Sequence, residues 1–262
     1  MAHLDINLIS NALGRAVDIT LILPTKTAPT LEENYVAKTD TYYQDKKNKK
    51  YPLLILLHGY LNDEKNWTRY ARAELYAEEN NIAIVMVNGE NKFYMNSEAL
   101  TTNDSFYDFI EYELKDFLYG TFPISSKRED NFIAGLSMGA FGALFHGLKN
   151  PKAYASIGAF SPVYKNDTHP ICKKIKDMFD IKSVVGKKTD IPFIFLVCGD
   201  KDILLPDSNL IHEELEELNI PHLYTIEKDY AHEWRFWDLE LERFIKGLKR
   251  TDLYKAESPR GV

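Results

Sequence analysis

Hydrophobic residues fall along this chain in short, dense runs separated by longer amphipathic stretches. Pro52-Leu-Leu-Ile-Leu-Leu57 and Ile82-Ala-Ile-Val-Met-Val87 are apolar at every position. A strand with one wet face alternates, so a run without a polar member predicts a strand buried on both faces. The same reading gives strands over Asn131-Phe-Ile-Ala134, Ala155-Ser-Ile-Gly-Ala-Phe160, Phe193-Ile-Phe-Leu-Val-Cys198 and 222–226. Ala16-Val-Asp-Ile-Thr-Leu-Ile-Leu23 alternates and then runs apolar to Pro24, which marks an early strand. Helical periodicity is expected over 66–80, 104–119, 138–149, 207–218 and 232–248. In 104–119 the stripe is Phe106, Phe109, Ile110, Glu113, Leu114 and Phe117. Strands alternating with helices predict a mostly parallel central sheet with helices on both faces, the α/β class.

Two stretches depart from this pattern. Residues 26–50 read as a polar loop. Residues 163–190, rich in Lys and Asp with one helical patch around 170–179, read as an insert. There is no internal repeat and no low-complexity linker, so one domain over 1–262 is expected.

In parallel sheets ligands bind outside the carboxyl ends of the strands, so residues directly after strands carry the most information. The most telling is Gly135-Leu136-Ser137-Met138-Gly139, between a strand and a helix. Two glycines there permit a sharp, strained turn that lifts a serine hydroxyl above the sheet edge. The helix that follows aims free backbone amides at the same spot. Five residues are a weak signal alone, and partners downstream strengthen it.

A serine hydroxyl needs a base, and the base needs a group that fixes its tautomer. In a nucleophile-elbow arrangement the acid comes next along the chain and the histidine last. Asp200, Asp202 and Asp207 all follow the 193–198 strand. Asp207 fits a helix cap better and Asp202 is preferred as the acid. Among the histidines, His212 sits mid-helix beside two glutamates, where a solvated surface position is expected, and His222 opens a strand at the opposite edge. His232 follows a strand and precedes a helix, so it is preferred as the base. The oxyanion hole is expected from the amides of Met138 and of Tyr60, in the His58-Gly59-Tyr60 loop after the 52–57 strand. His58 itself reads as structural.

Composition narrows the rest. The 262 residues are 45% hydrophobic and 13% aromatic, as in a globular protein. The net charge of −7 argues against nucleic acid and anionic membrane surfaces. The cluster Lys46-Lys-Asn-Lys-Lys50 reads as a solvated loop. Cys172 and Cys198 offer neither a disulfide framework nor metal spacing, and Cys198 sits in an apolar run as a small buried hydrophobe. The N-terminus lacks a basic region followed by an apolar one, and there is no apolar run of about 18 residues. A cytoplasmic setting is expected, without metal or organic cofactor. The sequence leaves a homo-oligomer open.

Phe132-Ile-Ala-Gly-Leu-Ser-Met-Gly139, Leu56-Leu-His-Gly59, Cys198-Gly-Asp-Lys-Asp202 and His232-Glu-Trp-Arg-Phe-Trp237 together resemble the esterase D family of α/β-hydrolases. That family includes tributyrin esterases, S-formylglutathione hydrolases, and feruloyl and acetylxylan esterases. The likeness is strongest to the tributyrin esterases. It runs from Asn11-Ala-Leu-Gly-Arg15 through Ser126-Lys-Arg-Glu129 to the final tryptophan pair. It implies an α/β-hydrolase fold and a serine carboxylesterase that works through an acyl-enzyme; the 163–190 insert, which follows the elbow helix, is expected to lie near the site as a small cap. It further implies Ser137, Asp202 and His232 as the triad, with the Tyr60 and Met138 amides as the oxyanion hole. There are two departures. Ala140 stands where the family often has glycine, and Asp200, where the family has an uncharged residue, brings a second carboxylate close to Asp202 and could alter the histidine's pKa.

Small-molecule esters with short or aromatic acyl groups are the expected substrates. Trp67, Phe93, Tyr94 and Trp234 are candidate pocket walls, against the alternative of ordinary core packing. Competing readings are S-formylglutathione hydrolysis, removal of acetyl or feruloyl groups from carbohydrate, and a non-catalytic binding protein on the same fold. The last usually lacks a triad member, whereas this chain has all three candidates.

Overall fold

The computed structural model describes residues 1–24, 50–98, 103–165, 179–186, 188 and 190–248. The polar loop over 26–49 with its lysines, the helical patch up to residue 178, and Cys172 lie outside the described residues.

β1 (Ala2–Ser10) and β2 (Arg15–Leu23) form an antiparallel hairpin that turns through Gly14 at φ 63°. β2 also pairs antiparallel with β4 (Ala83–Val87). From there β3 (Leu53–Leu57), β7 (Asn131–Leu136), β8 (Ser156–Phe160), β9 (Phe193–Gly199) and β10 (His222–Glu227) continue in parallel. The eight-stranded order is β1-β2-β4-β3-β7-β8-β9-β10, and β5 (Asn96–Glu98) and β6 (Asn103–Ser105) form a separate antiparallel pair. The buried strands match the apolar runs of the sequence. β1 is an addition to them. Its Leu4, Ile6 and Leu8 are half-buried while His3, Asp5 and Asn7 are exposed, the alternation of an edge strand with one wet face.

The helices are α1 (Asn66–Tyr70), α2 (Ala73–Asn80), α3 over 106–121, α4 (Met138–Lys149), α5 (Ile181–Val185), α6 (Leu205–Glu217) and α7 (Trp234–Gly247). The single helix expected over 66–80 is broken at Ala71 and Arg72. The Arg72 backbone amide and guanidinium both donate to Asp238 on α7, at 2.9–3.0 Å. The chain thus gives up helical bonds to tie α2 to α7.

Alternate strand residues serve two cores. Leu53, Ile55 and Leu57 pack with α3, α4 and α6 on one face, and Leu54 and Leu56 with α2 and α7 on the other. In α3 the middle segment, Phe109–Leu114, widens to π-helical pitch. The extra residue in that turn rotates the inward face, so Glu111 and Lys115 are buried where Glu113 and Phe117 were expected.

Glu111 is the hub of this buried polar cluster. One carboxylate oxygen accepts from Tyr154 Oη at 2.6 Å and His146 Nδ1 at 2.7 Å; the other accepts from Lys115 Nζ at 2.7 Å and Asn150 Nδ2 at 2.8 Å. His146 lies on α4, so the cluster sets how α4 sits against α3. Burial pushes the Glu111 carboxyl up, but the bonds and charges of His146 and Lys115 outweigh burial and hold it down at about 2, against an ordinary value of 4.5. A depressed carboxyl stabilises the folded state above its unfolded pKa and loses that contribution as pH falls toward the folded value. That contribution should therefore disappear between about pH 4.5 and pH 2. Urea unfolding as a function of pH checks this. Glu111→Gln should be less stable than the parent at pH 7 and should lose less on acidification, and equal acid sensitivity would refute the assignment.

Candidate active site

Ser137 stands between β7 and α4 with φ 53° and ψ −114°, a left-handed conformation held by its context. The turn is possible because α4 begins almost in contact with the end of β3. A Cβ on Gly139 would lie 2.3 Å from the Leu57 carbonyl oxygen, and one on Gly135 would lie 2.5 Å from Gly139 itself. Both distances are shorter than any side chain tolerates, so the two glycines of the motif are steric requirements. The Ser137 amide donates to the Phe160 carbonyl on β8 at 2.9 Å, which locks the elbow to the sheet.

The His58-Gly59-Tyr60 loop comes alongside. A Cβ on Gly59 would stand 3.7 Å from Ser137 Cβ. Neither the Tyr60 nor the Met138 amide donates to a backbone or side-chain acceptor among the described residues. Met138 opens α4, where amides have no intrahelical partner. His58 is buried, with Nδ1 on the Gly59 carbonyl at 2.7 Å and Nε2 accepting from the Gly89 amide at 2.9 Å. Burial pushes its imidazole down to about 4, so it stays neutral and braces the loop.

On the far side of Ser137, β9 ends at Gly199 and leads to Asp202, and β10 leads to His232. His232 Nδ1 lies 3.0 and 3.1 Å from the two Asp202 carboxylate oxygens. Asp202 also accepts from the Leu204 amide at 2.8 Å. Its burial pushes the carboxyl up, yet the His232 and Leu204 bonds prevail and keep it below the ordinary carboxylate value. The carboxylate therefore stays ionised at neutral pH. Trp237 meets the His232 ring edge-on at 4.8 Å and donates from Nε1 to Ser161 Oγ at 3.2 Å.

Ser137, Met138, Gly59, Tyr60 and His232 line one cavity of about 560 Å³. No hydrogen bond links the Ser137 hydroxyl to His232 among those of the described residues. The rest of the wall is largely apolar and includes Phe93, Val163, Leu204, Trp234 and Trp237.

Of the four aromatic residues expected at the pocket, Phe93 and Trp234 line it. Trp67 and Tyr94 do not. Trp67 is fully buried behind Trp234 and donates from Nε1 to the Leu57 carbonyl at 3.1 Å. Tyr94 is fully buried and donates to the His58 carbonyl at 2.9 Å. Both sit one layer behind the wall, because their polar atoms close bonds to the β3 end. Trp237 and Leu204 went unpredicted. Trp237 could have been found, since it lies one helical turn beyond Trp234.

The rival residues have other partners. The exposed Asp200 accepts from the Asp229 amide at 2.8 Å, which bridges the two loops. Asp207 is not the cap expected of it; it lies inside the first turn of α6, buried, and accepts from the Tyr164 amide at 3.0 Å. His212 is half-buried instead of solvated and pairs with His222. Cys198 is buried, and burial pushes its thiol up to about 12. Of the expected insert, Val163 reaches the cavity, and Phe179 packs on α4 through Phe141 and Phe145. Among the described residues no helix is long and apolar enough to cross a membrane.

The family model described as putative esterase matches residues 10–242. An acetyl esterase of Caldicellulosiruptor saccharolyticus is 30% identical over 278 residues, covering 96% of this chain and 99% of that protein. Two solved structures from Staphylococcus aureus are similar. One is the fluorophosphonate-binding serine hydrolase F, with a TM-score of 0.76 and 27% identity over 93% of this chain and 96% of that one. The other is an S-formylglutathione hydrolase, with a TM-score of 0.75 and 26% identity over 93% of this chain and 97% of that one. The sheet and its flanking helices therefore form an α/β-hydrolase fold.

Proposed function

The chain belongs to the putative esterase family and is a serine carboxylesterase, and from that premise we propose that Ser137 is its nucleophile, His232 its general base and Asp202 the carboxylate that orients the base. His232 accepts the Ser137 proton as the hydroxyl oxygen attacks the ester carbonyl. The resulting oxyanion rests on the Tyr60 and Met138 amides. Collapse expels the alcohol, which takes the proton back from His232 and leaves an acyl-Ser137 ester. Water then repeats the sequence and releases the acid. Asp202 stays ionised throughout and balances the charge that forms on His232.

The observation that carries this reading is the two-oxygen contact of buried Asp202 with His232 Nδ1, at the wall of the cavity that holds the strained Ser137. That contact leaves the other ring nitrogen, Nε2, free for the serine.

The acyl group is small. A largely apolar cavity of about 560 Å³, walled in part by Phe93 and Trp234, suits acetyl to butyryl esters, and the acetyl esterase relative favours the same range. A fluorophosphonate probe should add one equivalent of mass at Ser137, and an unlabelled protein would overturn the nucleophile. In a series of p-nitrophenyl esters, kcat/KM should peak between acetate and butyrate and fall roughly tenfold or more by octanoate. A level profile through decanoate would overturn the size assignment alone.

A further inference from the structure

Two histidines outside the catalytic cavity meet each other. His212 lies midway along α6, and His222 opens β10 at its amino end. The catalytic residues follow the carboxyl ends of the strands, so the length of β10, about 16 Å, separates the two regions. His212 Nδ1 and His222 Nε2 are 2.8 Å apart. His222 Nδ1 faces the Ile220 carbonyl oxygen at 2.8 Å, so it donates there and leaves the Nε2 lone pair pointing toward His212. Glu216, one turn beyond His212, brings Oε1 to 3.9 Å from the same Nε2. One donor atom from each of the three residues lies within 4.8 Å of the others.

We infer that His212, Glu216 and His222 form a site for a divalent transition-metal ion, with zinc as the best match. Two imidazoles and one carboxylate suit zinc and its neighbours, whereas calcium and magnesium take oxygen ligands. Zinc–nitrogen bonds of about 2.0–2.1 Å place neighbouring donor atoms roughly 3.0–3.4 Å apart. Two of the three separations, 2.8 and 3.9 Å, fall on either side of that range and the third is within 4.8 Å, so side-chain rotation, chiefly of the exposed Glu216, completes the geometry. The outer contacts are also those of a ligand set. The Ile220 carbonyl fixes the tautomer of His222, as the outer partner of a metal-bound imidazole does. His212 stacks on Tyr224 at 4.5 Å, with an interplanar angle of 26°, which holds its ring plane.

Binding exchanges one interaction for others. The proton on His212 Nδ1 moves through solvent to its own Nε2. The Nδ1 and His222 Nε2 lone pairs then both point at the ion in place of their shared hydrogen bond, and no net proton is released from the imidazoles. The His222 side chain is 2% exposed and that of Glu216 is 67% exposed, so the ion sits against the protein on one side and water completes its shell on the other. The ion would staple α6, which follows the Asp202 loop, to β10, which leads to His232. It is too far from Ser137 to join the reaction, so its effect is on stability.

The test uses untagged full-length protein stripped with a chelator and titrated with zinc chloride by calorimetry and thermal unfolding. One equivalent should bind with micromolar or tighter affinity and raise the unfolding midpoint by about 5 °C. His212→Phe keeps a ring on Tyr224 but removes the nitrogen, and should abolish both the tight equivalent and the shift. Glu216→Gln, at an exposed position, should weaken binding at least tenfold and keeps the test valid if the histidine variant folds poorly. No binding tighter than about 100 μM, or binding unchanged in both variants, would overturn the site.

Discussion

Ser137→Ala is expected to lower kcat/KM for p-nitrophenyl acetate by about 10⁵-fold, with the fold intact. The size follows from the role: without the hydroxyl there is no acyl-enzyme, and only the oxyanion amides and substrate binding remain to help water. The intact fold follows from the structure. The Ser137 side chain is half-buried at the cavity wall, and the elbow is held by its own amide on Phe160 and by the packing of Gly135 and Gly139. The unfolding midpoint should therefore stay within a few degrees of the parent. Steady-state kinetics beside a thermal melt makes the measurement. Retention of even a tenth of the parent rate in a well-folded variant would remove Ser137 from the chemistry.

Asp202→Asn should cost about 10⁴-fold in kcat with little change in KM. The carboxylate accepts from His232 Nδ1 with both oxygens, which keeps the ring's Nε2 unprotonated and available. An amide in its place can present N–H to Nδ1, which favours the opposite tautomer and directs a proton where the serine needs a lone pair. It also withdraws the buried negative charge that balances the imidazolium. The same substitution at Asp200 serves as the control, because that carboxylate is exposed and turned to the Asp229 amide. Asp200→Asn should stay within threefold of the parent. If the two variants were equally impaired, the acid would be misassigned.

Which parts of this could be read in advance depends on how local the cause is. β3 and β4 were legible because Leu53–Leu57 and Ala83–Val87 are apolar on both faces, and a run buried on two sides needs no knowledge of its neighbours. The bounds of α4, Met138–Lys149, agree with the expected 138–149 because the elbow sets its start and Asn150-Pro151 its end. In α3 Phe106, Phe109, Ile110 and Leu114 face inward as expected, but Glu111 and Lys115 take the buried places of Glu113 and Phe117, since a π turn answers to the Glu111 cluster and not to the periodicity of its own residues. The break between α1 and α2 has a similar origin: Asp238, remote in the chain, supplies the competing acceptor.

The candidate site divides the same way. By itself the sequence determined the elbow, because Gly-x-Ser-x-Gly between a strand and a helix is a local demand on φ and on space. It also determined that acidic and histidine candidates emerge at the same sheet edge, because parallel strands all end at one edge. Only the tertiary structure decided which of three aspartates stands against a histidine, and which aromatic rings face the cavity. Trp67 and Tyr94 turn inward because the Leu57 and His58 carbonyls, at the end of a separate strand, need donors. Trp237 is held at the wall by its Nε1–H bond to Ser161 Oγ, which follows the end of β8. Those choices depend on the direction of each side chain relative to elements far away in the chain, and a linear pattern carries no record of direction.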